Sequence, residues 1–235
     1  MSKNQVFVPP IWDKSEINII GKNPFRIFLA GTIDNGDSTD WQQELINTIN
    51  NVELKKPTSI YNPRREEWPS SDDHREISRQ IDWELSHLEK ADLIVMNILA
   101  NSKSPISLME LGLFAREGRL IVFCPKSFYR FDNVREVCKR YGVPLHTTNN
   151  IAYIAERVCN CIGIDEEAEQ RKKIEREREE INKEISLAEA AMESGEEWTD
   201  TGYSKARTSW YLEHTRKLKN DFEEKYKEPL CSEKG

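Results

Sequence analysis

The chain has 235 residues, 37% hydrophobic and 32% charged, with a formal net charge of −7, enough for one sizeable α/β domain and a solvated appendage. No run reaches the ~20 apolar residues of a membrane span, and the N-terminal MSKNQVFVPPIW lacks the apolar stretch of a secretory leader. Residues 1–164 are near neutral and lack the basic stripe of a duplex-binding protein, so a cytoplasmic protein that engages neither membrane nor duplex nucleic acid is expected.

Residues 1–24 read as a loose or edge segment with Pro9, Pro10 and Pro24. Phe25–Gly31 is a short apolar run ending in small residues, the profile of a buried first strand. Trp41, Leu45 and Ile49 recur at helical spacing, with Asp40 as N-cap. Ser59–Pro63 reads as a second strand, and 64–73 as a polar loop. Helix signals run from His74 to about Ala91, and 92–97 is a strongly apolar strand. Ser104-Pro105 starts a helix with proline in its first turn, and Gly118 is its expected stop. Residues 119–124 form another buried strand, 134–141 a helix, 145–147 a short edge strand, and 151–161 a helix.

This alternation predicts a Rossmann- or flavodoxin-like parallel sheet with helices on both faces. Ligands of such sheets sit beyond the carboxyl ends of the strands, which places the expected site at Gly31-Thr32, 61–68, Met96-Asn97 and Cys124-Pro125. Beyond Gly163 the composition changes: residues 165–235 carry 20 acidic and 14 basic side chains. Ile174, Ile181, Ile185, Ala188 and Met192 form a narrow seam in 166–194, and a second helix follows with Tyr211, Leu218 and Phe222 on one side. The chain therefore divides into an α/β domain at 1–162 and a charged helical hairpin at 163–235, a packing, oligomerisation or partner-binding element.

The informative residue is Glu110, set in Pro-Ile-Ser-Leu-Met-Glu-Leu-Gly-Leu-Phe-Ala. A carboxylate in so apolar a helix is either ion-paired for structure or faces a cavity, because burying it alone costs several kcal/mol. In the second case it is suited to attack a sugar carbon. In the helix 74–91, Glu84 falls within the apolar stripe Ile77, Ile81, Leu85 and Leu88, whereas Asp82 points to the side. Glu84 is thus the better second acid and Asp82 the next. Two buried carboxylates on neighbouring helices suit a nucleophile and a proton donor. Asn97 either binds a ligand hydroxyl or caps its loop, and Trp41 and Trp68 either stack on a base or simply pack. The five cysteines and four histidines show no metal-ligand spacing, and neither GxGxxG nor GxxxxGK[ST] occurs. No metal and no cofactor are expected.

Phe28-Leu-Ala-Gly-Thr-Ile33 with Asp40-Trp-Gln42, Tyr61-Asn-Pro-Arg64, Gln80-Ile-Asp-Trp-Glu84, Ala91-Asp92 and Ser104-Pro-Ile-Ser-Leu-Met-Glu-Leu-Gly112 resemble the nucleoside 2-deoxyribosyltransferase-like family. Tyr129-Arg130, Asn133-Val134 and Arg140–Pro144 resemble the same family, and the resemblance covers roughly residues 25–160. It implies that Glu110 is the nucleophile toward C1′ of a deoxyribose and that Glu84, or Asp82, manages the proton of the base. It also implies that Gly31, Thr32 and Asn97 line the substrate pocket, and that Arg130 and Asn133 serve a neighbouring subunit's site in a homo-oligomer.

Three functions follow. The first is base exchange on deoxynucleosides through a glycosyl-Glu110 ester. The second is N-glycoside hydrolysis of a nucleoside or nucleotide, with Thr32, Ser38, Thr39, Arg64 and Arg65 available to a phosphate. The third is a non-catalytic nucleotide-sensing module.

Overall fold

The runs at 27–30, 93–96 and 120–123 are apolar at consecutive positions, so each must be covered on both faces. The computed structural model describes residues 4–9, 24–65, 70, 72–194 and 205–226, leaving aside the side chains of 35, 191–194 and 205–210. In it the chain divides into two compact units, 1–165 and 166–235.

The first unit is built on six strands: β1 (Gln5–Phe7), β2 (Phe25–Gly31), β3 (Thr58–Tyr61), β4 (Leu93–Asn97), β5 (Leu120–Phe123) and β6 (Leu145–His146). All pair in parallel in the order β1-β3-β2-β4-β5-β6. The helices are α1 (Trp41–Ile49), α2 (His74–Lys90), α3 (Pro105–Phe114), α4 (Phe131–Tyr141) and α5 (Ile151–Ile162). Residues of one parity along the strands, including Phe28, Ala30, Ile94, Met96 and Val122, pack with α2, α3 and α4. Those of the other parity, including Ile27, Leu29, Val95, Ile121 and Phe123, pack with α1 and α5. Each of the larger side chains contributes roughly 1.5–3 kcal/mol on burial, and the two clusters together hold the sheet.

β2 and β4 are neighbours in register, with Ala30 opposite Met96 and Gly31 opposite Asn97. The chain leaves β2 toward α1 on one face and leaves β4 toward α3 on the other, so the topological switch lies between their carboxyl ends. Gly31 is required there. Its φ is +132°, and a Cβ would strike the Asn97 carbonyl, while the next amide, Thr32 N–H, donates to that carbonyl at 2.9 Å.

Three sequence expectations about this first unit need correction. The helix begun at Pro105 ends at Phe114, and Gly118, at φ +72°, closes the turn that follows it. Ser104 does not cap that helix through its side chain, because its hydroxyl is bound elsewhere. On α2 the buried residues are Gln80, Trp83, His87 and Leu88, while Ile81 and Leu85 of the expected stripe are exposed. The reason is aromatic packing: the Trp83 and His87 rings lie tilted with centres 4.2 Å apart and seat against Tyr61, which turns the helix.

The second unit is a pair of helices, α6 (Glu166–Ser194) and α7 (Lys205–Lys225). Ile185, Ala188 and Leu212 form its core, with Ile181 packed against them. On α7 the buried positions are Leu212, Thr215 and Phe222, not Tyr211 and Leu218, which are exposed. Trp68 and the side chain of Met192 lie outside the described residues.

Candidate active site

The residue that opens α3 has a left-handed backbone, Ser104 at φ +43°. That geometry turns the chain sharply from the loop after β4 into the helix, and a triangle of hydroxyls secures it. Thr32 Oγ1 lies 2.6 Å from Ser104 Oγ and 3.0 Å from Ser102 Oγ, and the two serines are 2.7 Å apart. Leu99 N–H donates to Thr32 Oγ1, and Ser102 Oγ donates to the Leu99 carbonyl. Thr32, at the end of β2, therefore anchors the amino end of α3.

Ser104, Ser107, Glu110, Leu111 and Phe114 follow at helical spacing and are all buried, so they share the inward side of α3. Glu110 retains only 7% exposure, and among the described residues none donates a hydrogen bond to it. Burial, reinforced by the charge of Glu84, pushes its carboxyl up to about 8. Its ionised form would have no compensating partner among the described residues, a costly state to bury.

Glu84 approaches from α2. It is half-buried, and its Oε1 accepts a hydrogen bond from Gln80 Nε2 at 2.8 Å. Burial raises its carboxyl and the Gln80 bond opposes the rise. Asp82, two residues earlier, is exposed. The two helices thus bring Glu110 and Glu84 within electrostatic reach of one another, and Asp82 is not buried with them.

The other expected residues divide by sheet face. Gly31 and Thr32 stand at the switch point. Asn97 is fully buried, but its strand parity sends the side chain toward α1 and α5, where Oδ1 accepts from Asn149 Nδ2 at 2.6 Å and Nδ2 has no partner among the described residues. Trp41 lies on that same face, its indole N–H donating to the Thr32 carbonyl at 2.8 Å. Arg130 and Asn133 are exposed at the start of α4, and the Arg130 guanidinium lies 5.3 Å from the Tyr129 ring centre. Arg64 is committed to the loop after β2. It donates to the carbonyls of Gly36 and Ser38 at 2.7 Å and pairs with Asp40 at 3.5 Å.

Sequence reasoning missed Gln80, which is legible only as an i, i+4 partner of Glu84, and it missed the Thr32–Ser102–Ser104 triangle, in which Thr32 lies 70 and 72 residues from the two serines. Among the described residues no three His, Cys, Asp or Glu side chains gather as a metal site. No described helix is long and apolar enough to cross a membrane.

No curated protein matches the chain. Among solved structures, the crystal structure of a conserved protein from Enterococcus faecalis V583 is similar at 13% identity and a TM-score of 0.41, over 57% of this chain and 99% of that one. Residues 24–128, which carry Gly31, Thr32, Glu84 and Glu110, match the model of the nucleoside 2-deoxyribosyltransferase like family, and over that stretch the resemblance read from the sequence is borne out.

Proposed function

We propose that the chain is an enzyme that cleaves the N-glycosidic bond of a deoxynucleoside and transfers the sugar to another base, with Glu110 as nucleophile and Glu84 as proton donor. The observation that carries this reading is the buried Glu110, without a described partner, whose carboxyl is raised by its burial and further by the charge of Glu84. Like charges in a shared low-dielectric site do not both ionise readily, so the pair holds one proton across the neutral range.

At rest the shared proton sits mainly on Glu110, the more strongly raised of the two; the productive state is the other tautomer, with the proton on Glu84 and the charge on Glu110. A Glu110 carboxylate oxygen attacks C1′ and forms a glycosyl ester as the C1′–N bond breaks. The electron pair of that bond leaves with the base, which takes the proton from Glu84. A second base then attacks C1′, returns its proton to Glu84 and releases Glu110. Gly31 lets the chain pass close to the β4 terminus.

A second copy of the chain completes the site in this reading. Ile81 and Leu85 on α2, and Ile106, Met109 and Leu113 on α3, are exposed beside the two carboxylates, the α3 residues each by more than half. A helix apolar on both faces is the pattern of one covered on both, and an isologous pairing is the simplest cover. The hairpin of α6 and α7 is a further candidate for assembly.

The test is chromatography of deoxynucleosides and deoxynucleotides incubated with the protein, with and without an acceptor base. New nucleosides are expected. Free base and sugar alone would make water the acceptor, and no turnover by wild-type protein would refute the enzymatic reading. Glu110→Gln should remove turnover by orders of magnitude. Glu84→Gln should cost about 10²–10⁴-fold, because the attacking group survives.

A further inference from the structure

We propose that Gln80 and Arg65 are positioning residues for Glu84, a polar relay running from the loop after β3 to the carboxylate pair. The proposal rests on the reading of Glu84 as the second carboxylate of the site.

Gln80 is buried on α2 one turn before Glu84. Its Nε2 donates to Glu84 Oε1 at 2.8 Å, and its Oε1 accepts from Arg65 Nη1 at 3.3 Å. An amide has one donor end and one acceptor end, whereas a guanidinium has only donors and an ionised carboxylate only acceptors. Arg65 therefore selects the orientation of the amide. The reversed amide would set oxygen against carboxylate and NH₂ against guanidinium, two repulsive contacts in place of two attractive ones. Held this way, Gln80 ties Oε1 of Glu84 and leaves Oε2 free.

Such a restraint has a purpose beside Glu110. Among the described residues, the charged groups bearing on Glu84 are Glu110 from α3 and, through Gln80, Arg65. A half-buried carboxylate with a like group opposite would otherwise rotate toward solvent, and a small misplacement of a reacting group costs about 10²-fold in rate. The two adjacent arginines thus have separate tasks. Arg64 fastens the 36–40 loop, and Arg65 reaches the site through Gln80.

The experiment follows the Glu84 carboxyl by carbon NMR titration in full-length protein, comparing wild type with Gln80→Leu, Gln80→Glu and Arg65→Met. Release of base from deoxynucleosides is measured on the same samples. Loss of the donor should move the Glu84 titration to higher pH in both Gln80 variants. Gln80→Glu should shift it further, since it keeps the size and the Arg65 partner but sets a carboxyl against Glu84. kcat should fall about 10–100-fold with KM little changed, and the acid limb of the rate profile should move up with the titration. Arg65→Met should have the same effects at several-fold smaller size.

An unchanged Glu84 titration in the Gln80 variants would overturn the relay, even if their melting temperatures fell, because packing alone would then account for Gln80. If Gln80→Leu does not fold, the isosteric Gln80→Glu decides. Absence of base release by the wild type would refute the proposed reaction, whereas the titration would still decide the relay.

Discussion

Replacing Glu110 by Gln separates a site residue from a structural one, because the two roles predict opposite changes in stability. In the folded chain the carboxyl is pushed from its ordinary 4.5 up to about 8. Between those values the unfolded chain has released a proton that the folded chain retains, so stability falls as pH rises. At ~1.4 kcal/mol per pKa unit, the burden of Glu110 is under about 1 kcal/mol at pH 5, about 3 kcal/mol at pH 7, and at most about 5 kcal/mol once the group ionises in both states. Glutamine has nearly the same volume and polarity as the protonated acid but cannot ionise. Glu110→Gln should therefore match wild type at pH 5 and exceed it as pH rises. For a domain of this size the gain at pH 7 corresponds to roughly 6–12 °C in melting temperature. Thermal unfolding of both proteins by circular dichroism from pH 5 to 8.5 measures the difference directly. A variant less stable than wild type, or a gap that does not widen with pH, would show that Glu110 is ion-paired for structure and refute the reasoning.

Base release should depend on pH as a bell. Above about 8 the pair loses its shared proton and no donor remains, and on the acid side Glu84, raised by burial, takes up the second proton and leaves no nucleophile; a rate flat from pH 5 to 9 would contradict the shared proton. Gly31→Ala should destabilise the fold by about 3 kcal/mol or more, from a positive φ and the collision with the Asn97 carbonyl, and chemical denaturation should show it. Met109→Glu or Leu113→Glu should reduce the assembly to monomers in light scattering without unfolding it, because both side chains are exposed in the isolated chain; an unchanged mass would place the interface elsewhere.

Much of this molecule follows from local chemistry. The strands at 25–31, 93–97 and 120–123 are runs of apolar residues between polar turns, too short for a buried helix and suited to a sheet covered on both faces. Asp40 and Asp73 cap α1 and α2 by accepting the amides of Gln43 and Glu76, a bond made within four residues and hence readable from them. Glu110 stood out for the same reason, since a charge inside an apolar helix conflicts with its own neighbours. What the sequence could not reveal depends on the packing of distant segments. Whether α2 turns Trp83 or Ile81 inward was decided by Tyr61 and Phe28, which offer an aromatic seat to the indole. That rotation left Ile81 and Leu85 outside and buried Gln80 beside its i, i+4 neighbour Glu84. Asn97 is a strand-end residue in the sequence, and only the parity of β4 across the sheet assigns its side chain to the face opposite Glu110. Local spacing thus determined the elements and their order, because helix and strand periods are properties of neighbouring residues. Tertiary packing decided which sides of those elements meet, because the burial of one carboxylate against another depends on contacts between residues far apart in the chain.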